Sequence, residues 1–303
     1  MDIVFSTNNN FCCHAAVAIV SLLNKNKDEK IAIHLFSIDV ETENIEKLCK
    51  TIAQFENAVI KVYKISKDLF KDFPNPGYYS FATYLRLLTP SLLPETSKVL
   101  YLDCDLIVNG SLKELWETDI QEYSCAGVYD SILSFPIVRD YIHYDYFWEG
   151  YANAGVLLIN LDYWRKHLIQ EKLINFLNSH DVRLNDQDAI NIVLHGTMLF
   201  LHPKWNTQSG YFAFPPLVRR EHKMFIKELW RDAKIVHFTG PVKPWHKECV
   251  NPYKKVYIKC KQQTPWKNIK LSHIEKNLMR SLSIIFLRTC KNVVARTLSY
   301  TYR

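Results

Sequence analysis

Glycine is scarce in this sequence, with eight in 303 residues, and no G-x-G-x-x-G follows the first strand-like run, DIVFST. That absence argues against a dinucleotide-binding unit, whose glycines let the backbone approach a pyrophosphate. Long apolar runs are missing too. The longest uninterrupted one, residues 15–20, has six residues, far below the roughly 20 that span a bilayer. The opening MDIVFSTNNN carries an acid at position 2 and lacks the basic and apolar regions of a secretory signal, so a cytoplasmic location is expected. The eight cysteines form no C-x-x-C pair and no regular spacing. They read as reduced packing thiols rather than a disulfide framework.

What is present is a chain with 48% hydrophobic and 13% aromatic residues, enough for one large core or one core plus a smaller appendage. Charge is uneven. Residues 241–303 hold 14 Lys or Arg against two Glu, a net of +12 within an overall +7, so the first 240 carry −5. Such a tail suits an anionic surface, attached to a body with a different task.

The first 130 residues alternate β-rich runs with helical patterns, which predicts a parallel α/β sheet covered by helices. DIVFST, IAIHLFSI, AVIKVYKI, KVLYLD, SCAGVYD, GVLLINL and IVHFTG read as strands. Helices are expected over residues 11–23, 42–55 and 81–88, and twice between residues 164 and 195, the second time in NDQDAINIVLHG. Beyond Pro244 the composition turns basic and aromatic. On a helix, Ile274, Leu278, Leu282, Ile285, Phe286 and Val293 share one face, with Lys276, Arg280, Arg288 and Lys291 opposite. Ile284, Leu287 and Val294 interrupt that stripe.

YLDCDLIV sets Asp103 and Asp105 just past an apolar strand. Buried strands seldom end in two acids without a partner or a task. Three readings are open at this point: ligands for Mg²⁺ or Mn²⁺ bridging a diphosphate, the nucleophile motif of a haloacid-dehalogenase-like phosphatase, or a solvated turn. The phosphatase reading lacks the later acidic motif that completes its metal site. The turn STNNNF can cap the helix behind it or hydrogen-bond a base or ribose.

Four ordered motifs carry a resemblance: YLDCDLIVNGSLKELWETDI, FWEGYANAGVLLINLDYWR, NDQDAIN and HFTGPVKPWH. Together they resemble glycosyltransferase family 8, over residues 1–246, most closely its retaining galactosyl- and glucosyltransferases of lipopolysaccharide or lipooligosaccharide. The resemblance implies a Rossmann-like nucleotide-diphospho-sugar transferase fold of the GT-A type with a small basic helical extension at residues 247–303. The activity implied is metal-dependent, retaining transfer of a galactose or glucose from a UDP-sugar to a cell-surface glycan or lipid-linked oligosaccharide acceptor. A catalytically inactive sugar-nucleotide-binding protein is the alternative.

Residue by residue, the resemblance implies Asp103, Asp105 and His237 as metal ligands. Two carboxylates and an imidazole favour Mn²⁺ over Mg²⁺. Lys243 and Gly240 match residues at the departing diphosphate, and Arg86 one that reaches sugar and diphosphate. Asn153, Asp186 and Gln187 match residues gripping the sugar hydroxyls. Gln187, an amide, stands where a double displacement needs a nucleophile, so same-face attack is expected, with Asp186 beside it. Asp188 is expected to cap or orient its helix. Ser6, Asn8, Asn10 and Cys104 fall on the nucleotide side, Cys104 otherwise reading as packing. The chain has Asn8 and Asn9 where the family usually shows acids, and Tyr78 where some relatives have a histidine facing the acceptor. The tail is expected to attach to the anionic inner face of the membrane; no nucleic-acid module accompanies it.

Overall fold

The structure, a computed structural model, describes residues 1–74, 80–131, 150–182, 184–213, 218 and 220–275. Its frame is a seven-stranded sheet built from β1 (Asp2–Asn8), β2 (Ile31–Ile38), β3 (Ala58–Ile65), β4 (Lys98–Leu102), β6 (Cys125–Tyr129), β7 (Ala152–Asn160) and β8 (Met198–Phe200). The order is β3-β2-β1-β4-β7-β6-β8. A second sheet joins β5 (Leu106–Val108), β10 (Ile235–His237) and β9 (Thr207–Gln208).

The sheet is mixed α/β and mostly parallel, but β7 runs antiparallel to both β4 and β6. A fully buried strand reads as the same apolar run in either direction, so the reversal leaves no mark in composition. Three further expectations change. Phe81–Leu88 is a 3₁₀ helix. The IVHFTG run contributes only the three residues of β10, and to the second sheet. Between residues 161 and 193 there are three helices, because Leu168 adopts a left-handed φ of 51° and splits the first pattern.

Two apolar cores cover the main sheet. On one face α1 (Cys12–Lys25) and α2 (Thr42–Ile52) pack Ile19, Leu22 and Leu48 over Ile33, Leu35 and Leu100. On the other, α3 (Leu161–Lys166), α4 (Ile169–Ser179) and α5 (Asp186–Val193) bring Trp164, Leu173 and Ile190 against Val99, Tyr101 and Leu157. Each such side chain contributes roughly 1.5–3 kcal/mol on burial.

Helix α1 carries few polar residues, and ten of its 14 residues are buried. An apolar helix of that kind needs cover on both sides. The second cover comes from late in the chain, after α6 (Ile226–Asp232): Cys249, Tyr253, and Tyr257 and Cys260 of α7 (Lys254–Lys261) cluster with Val17, Val20, Val236 and Phe238. Trp266 joins the core over α1 and α2. Of the amphipathic stretch expected from Ile274 onward, Ile274 itself is buried in irregular backbone. The rest of that stretch lies outside the described residues. Among the described residues no helix is long and apolar enough to cross a membrane.

Candidate active site

β1 has β2 on one side and β4 on the other, a switch point at which the carboxyl ends of open α/β sheets leave a crevice. Polar side chains converge there. Asn8 closes β1, Asp103 follows β4, Asp130 follows β6, and Asn153 lies near the start of the reversed β7.

The turn after β4 is pinned from both sheets. Asp103 N donates to Gly155 O on β7 at 2.9 Å, and Phe238 N donates to Asp105 O at 2.9 Å. Antiparallel pairing of His237 with Leu106 then brings the imidazole beside Asp105. One ligand atom each from Asp103, Asp105 and His237 lie within 4.8 Å of one another. His237 Nε2 is 3.0 Å from Asp105 Oδ1 and 3.7 Å from Asp103 Oδ2. Its Nδ1 faces Asn206 Oδ1 at 3.2 Å. Were Nδ1–H given to that amide, Nε2 would be free to ligate a cation held between the acids, the arrangement that orients a ligating histidine.

Gly155 makes room for this trio: a Cβ there would stand 2.6 Å from Asp103 Oδ2 and 2.8 Å from His237 Nδ1. Two oxygen donors, one nitrogen donor and a cradle that a methyl would fill suit a divalent cation.

Cationic side chains enclose the acids. Although burial alone would raise it, the Lys243 ammonium and His237 hold the Asp105 carboxyl well below the usual range. Lys243 Nζ bonds to Asp105 Oδ2 and, at 2.8 Å, to Phe238 O. Arg86, which a helix pattern would leave on the surface, is buried. Its guanidinium lies 4.3 Å from the Tyr101 ring centre, donates to Asp103 Oδ1 at 3.0 Å and to Ala154 O, and reaches Asp186 Oδ2 at 2.8 Å. Tyr101 OH adds a bond to Asp103 Oδ1 at 2.9 Å.

A second group sits beside this one. Gln187 Oε1 accepts from Ala154 N at 2.9 Å and from Asn153 Nδ2 at 3.1 Å, while its Nε2 donates to Asp130 Oδ2 at 3.1 Å. Asn153 Nδ2 also reaches Asp130 Oδ2 at 2.9 Å, and Asn206 Nδ2 reaches Asn153 Oδ1 at 2.9 Å. Both amides are thereby fixed in orientation. Asp186 is different: Arg86 Nε–H is directed to Thr83 O, and the buried Asp186 Oδ2 receives no hydrogen bond. Burial raises the Asp186 carboxyl to about 6 despite Arg86. Asp188 accepts from Leu184 N at 2.9 Å and from Tyr151 OH, the orienting role expected of it.

On the nucleotide side, Asn8 Oδ1 caps the following turn by accepting from Phe11 N at 3.1 Å, and Asn9 Oδ1 accepts from Glu41 N and Asn44 Nδ2. Asn10 is exposed. The Ser6 hydroxyl is buried without a hydrogen-bond partner. Cys104 is buried and donates to Ser6 O at 3.1 Å, which fits packing; burial pushes its thiol well up. Gly240, at φ 79°, turns the loop between β10 and Lys243. Tyr78 lies outside the described residues.

The sequence reading missed Asp130, Tyr101, Asn206 and Gly155. Asp130 ends SCAGVYD just as Asp103 ends KVLYLD, so the same signal was available. A glycine within an apolar strand also marks close approach. Asn206 carries no such signal. Also missed is a ring stack beside Lys243: Trp245 lies on His14 at 3.4 Å between centres and 13° between planes, with Phe11 edge-on to both.

The chain is similar to known proteins over most of its length. The family model for glycosyl transferase family 8 matches residues 2–249. General stress protein A of Bacillus subtilis is 31% identical over 284 residues, covering 89% of this chain and 96% of that protein. The lipopolysaccharide 1,3-galactosyltransferase of Salmonella typhimurium is 28% identical over 277 residues, covering 89% and 80%. The crystal structure of the galactosyltransferase LgtC with donor and acceptor sugar analogues superposes with a TM-score of 0.73 at 24% identity, covering 88% and 96%.

Proposed function

The chain belongs to glycosyltransferase family 8, and on that premise we propose that it transfers a galactose or glucose from a UDP-sugar to a hydroxyl of a lipopolysaccharide-type acceptor, with retention of configuration. The observation that carries the reading is the convergence of Asp103, Asp105 and His237 within 4.8 Å at the crevice edge, with Lys243 on Asp105. Asp103, Asp105 and His237 hold the divalent cation, Mn²⁺ by the nitrogen in the set. When bound, that cation supplies positive charge to the departing diphosphate.

The other residues act around that charge. Lys243 meets the β-phosphate, where negative charge grows as the glycosidic bond breaks; a cation placed there favours the transition state over the ground state. Gly240 brings backbone alongside. Arg86 ties Asp103 to Asp186 and so joins the diphosphate end of the site to the sugar end. Asp186, with a buried oxygen that lacks a donor, accepts a sugar hydroxyl; Asn153 and Gln187 complete the grip. Ser6, Asn8, Asn10 and the backbone at Cys104 line the nucleotide side.

Gln187 Oε1 already accepts two hydrogen bonds, which suits an orienting amide and not a nucleophile. The acceptor hydroxyl therefore enters on the face that UDP leaves, and a β-phosphate oxygen takes its proton. The acceptor class follows the lipopolysaccharide galactosyltransferase among the relatives, and the basic residues after 275 attach the protein to an anionic membrane surface.

The test is UDP release from a panel of UDP-hexoses with Mn²⁺, with EDTA, and with Asp105→Ala. Release from one donor that EDTA and the substitution both abolish supports the reading. UDP-sugar binding without release in any condition replaces it with a binding protein.

A further inference from the structure

We propose that His14 and Tyr257 are positioning residues for Lys243, forming with Trp245 a stack through which the C-terminal extension holds the diphosphate-binding loop. The proposal rests on the reading of Lys243 given above. Trp245 lies two residues beyond Lys243, and its ring covers His14 at 3.4 Å. His14 sits in the first turn of α1, and its Nδ1 is 2.7 Å from Tyr257 OH on α7. Tyr257 is itself 1% exposed. The lysine loop thus leans on a helix of the sheet core, and that contact is fixed by a hydroxyl from the extension.

Two further contacts from the extension close on the same loop. Lys254 Nζ donates to His246 O at 2.8 Å. Ser272 exchanges backbone hydrogen bonds with it, accepting from Lys247 N at 2.9 Å and donating to Trp245 O at 3.0 Å. His246 ties the loop to itself, its Nδ1 accepting from Lys243 N at 3.1 Å. Burial pushes the His14 imidazole down to about 3. It is therefore neutral, can accept from the tyrosine hydroxyl, and adds no second cation beside Lys243.

A packing role alone lowers affinity for any nucleotide, whereas a role through Lys243 is felt only where a β-phosphate is present. The experiment measures the Kd of UMP and of UDP by calorimetry with Mn²⁺ on the full chain and on Lys243→Ala, His14→Ala and Tyr257→Phe, with a thermal melt of each. Tyr257→Phe removes only a hydroxyl, so it reports even if His14→Ala fails to fold. Lys243→Ala is expected to weaken UDP on the order of 10–100-fold, and Tyr257→Phe about 3–10-fold, with UMP nearly unchanged in both. If Lys243→Ala is selective but Tyr257→Phe weakens both nucleotides alike, or neither, the positioning role is overturned and the reading of Lys243 stands. An equal loss would place the effect on the nucleoside that the two nucleotides share. If Lys243→Ala does not separate UDP from UMP, the assignment of Lys243 falls, and the positioning role with it.

Discussion

Arg86 Nε lies 2.8 Å from Asp186 Oδ2 with both side chains buried, yet this ion pair does not offset the desolvation of the carboxylate, which protonates near pH 6. The folded chain therefore binds a proton between about pH 4 and 6 that the unfolded chain has released. Stability conferred by the neutral acid is full below the unfolded pKa and is lost as pH rises through that window, on the order of 2–3 kcal/mol. Asp186→Asn is expected to melt several degrees higher than the parent at pH 8 in EDTA, with the advantage gone by pH 4. The same substitution lowers transfer at least about 100-fold. Scanning calorimetry at the two pH values checks the first statement; a parent that is equally stable at both, with no gain from Asn, contradicts it.

Gly155 is the second place where stability and site geometry meet. A Cβ there would lie 2.2 Å from Cε1 of His237, so the ring or the strand must move. Gly155→Ala is expected to lose about 1–3 kcal/mol by overpacking and to bind Mn²⁺ at least about tenfold more weakly. Manganese EPR titration and a melt in EDTA separate the two effects. Unaltered manganese affinity would show that the trio is not the cation site.

Asp105→Ala tests the ligand set from the acid side. It removes the carboxylate shared by His237 and Lys243, and turnover is expected to fall about 10²–10³-fold. Excess Mn²⁺ should restore little of it, whereas Asp105→Glu should recover part. Activity that survives both Asp105→Ala and EDTA would remove the metal from the reading.

Some of this was legible in residues and some was not. The acids after KVLYLD announced themselves because a buried strand rarely ends in unpaired charge. His237 is 132 residues from Asp105 in sequence and meets it through an antiparallel pairing in the second sheet. No local pattern encodes that meeting, and only the resemblance supplied it. The reversal of β7 was hidden because apolar strands carry no direction. Asn8 does cap the turn behind it, one of its two readings. The charge of the extension is legible in its own residues, but the burial of Tyr253, Tyr257 and Trp266 is not. The clue lies at the other end of the chain: CCHAAVAIVSLL holds only two polar residues, His14 and Ser21, and a helix like that requires a cover.

That cover decides how the tail is to be cut. A chain ending at residue 252 loses Tyr253, Tyr257, Cys260 and Trp266, all buried against α1 and its neighbours. Each large aromatic removed from a core costs about 3–5 kcal/mol, so the three together cost about 9–15 kcal/mol, as much as the roughly 5–15 kcal/mol by which domains are stable. Such a chain is not expected to fold, so its failure to bind membranes would mean nothing. A chain ending at residue 275 keeps every one of these contacts and removes six Lys or Arg with no acid among them. It should melt within a few degrees of the parent and release UDP at about the parental rate. Each basic residue near an anionic surface contributes about 1 kcal/mol, so the shortened form should no longer float with phosphatidylserine vesicles. The full chain should float with them at low salt and detach as salt rises. Equal flotation of the two forms would place any membrane contact on the folded body and leave the residues after 275 without that role.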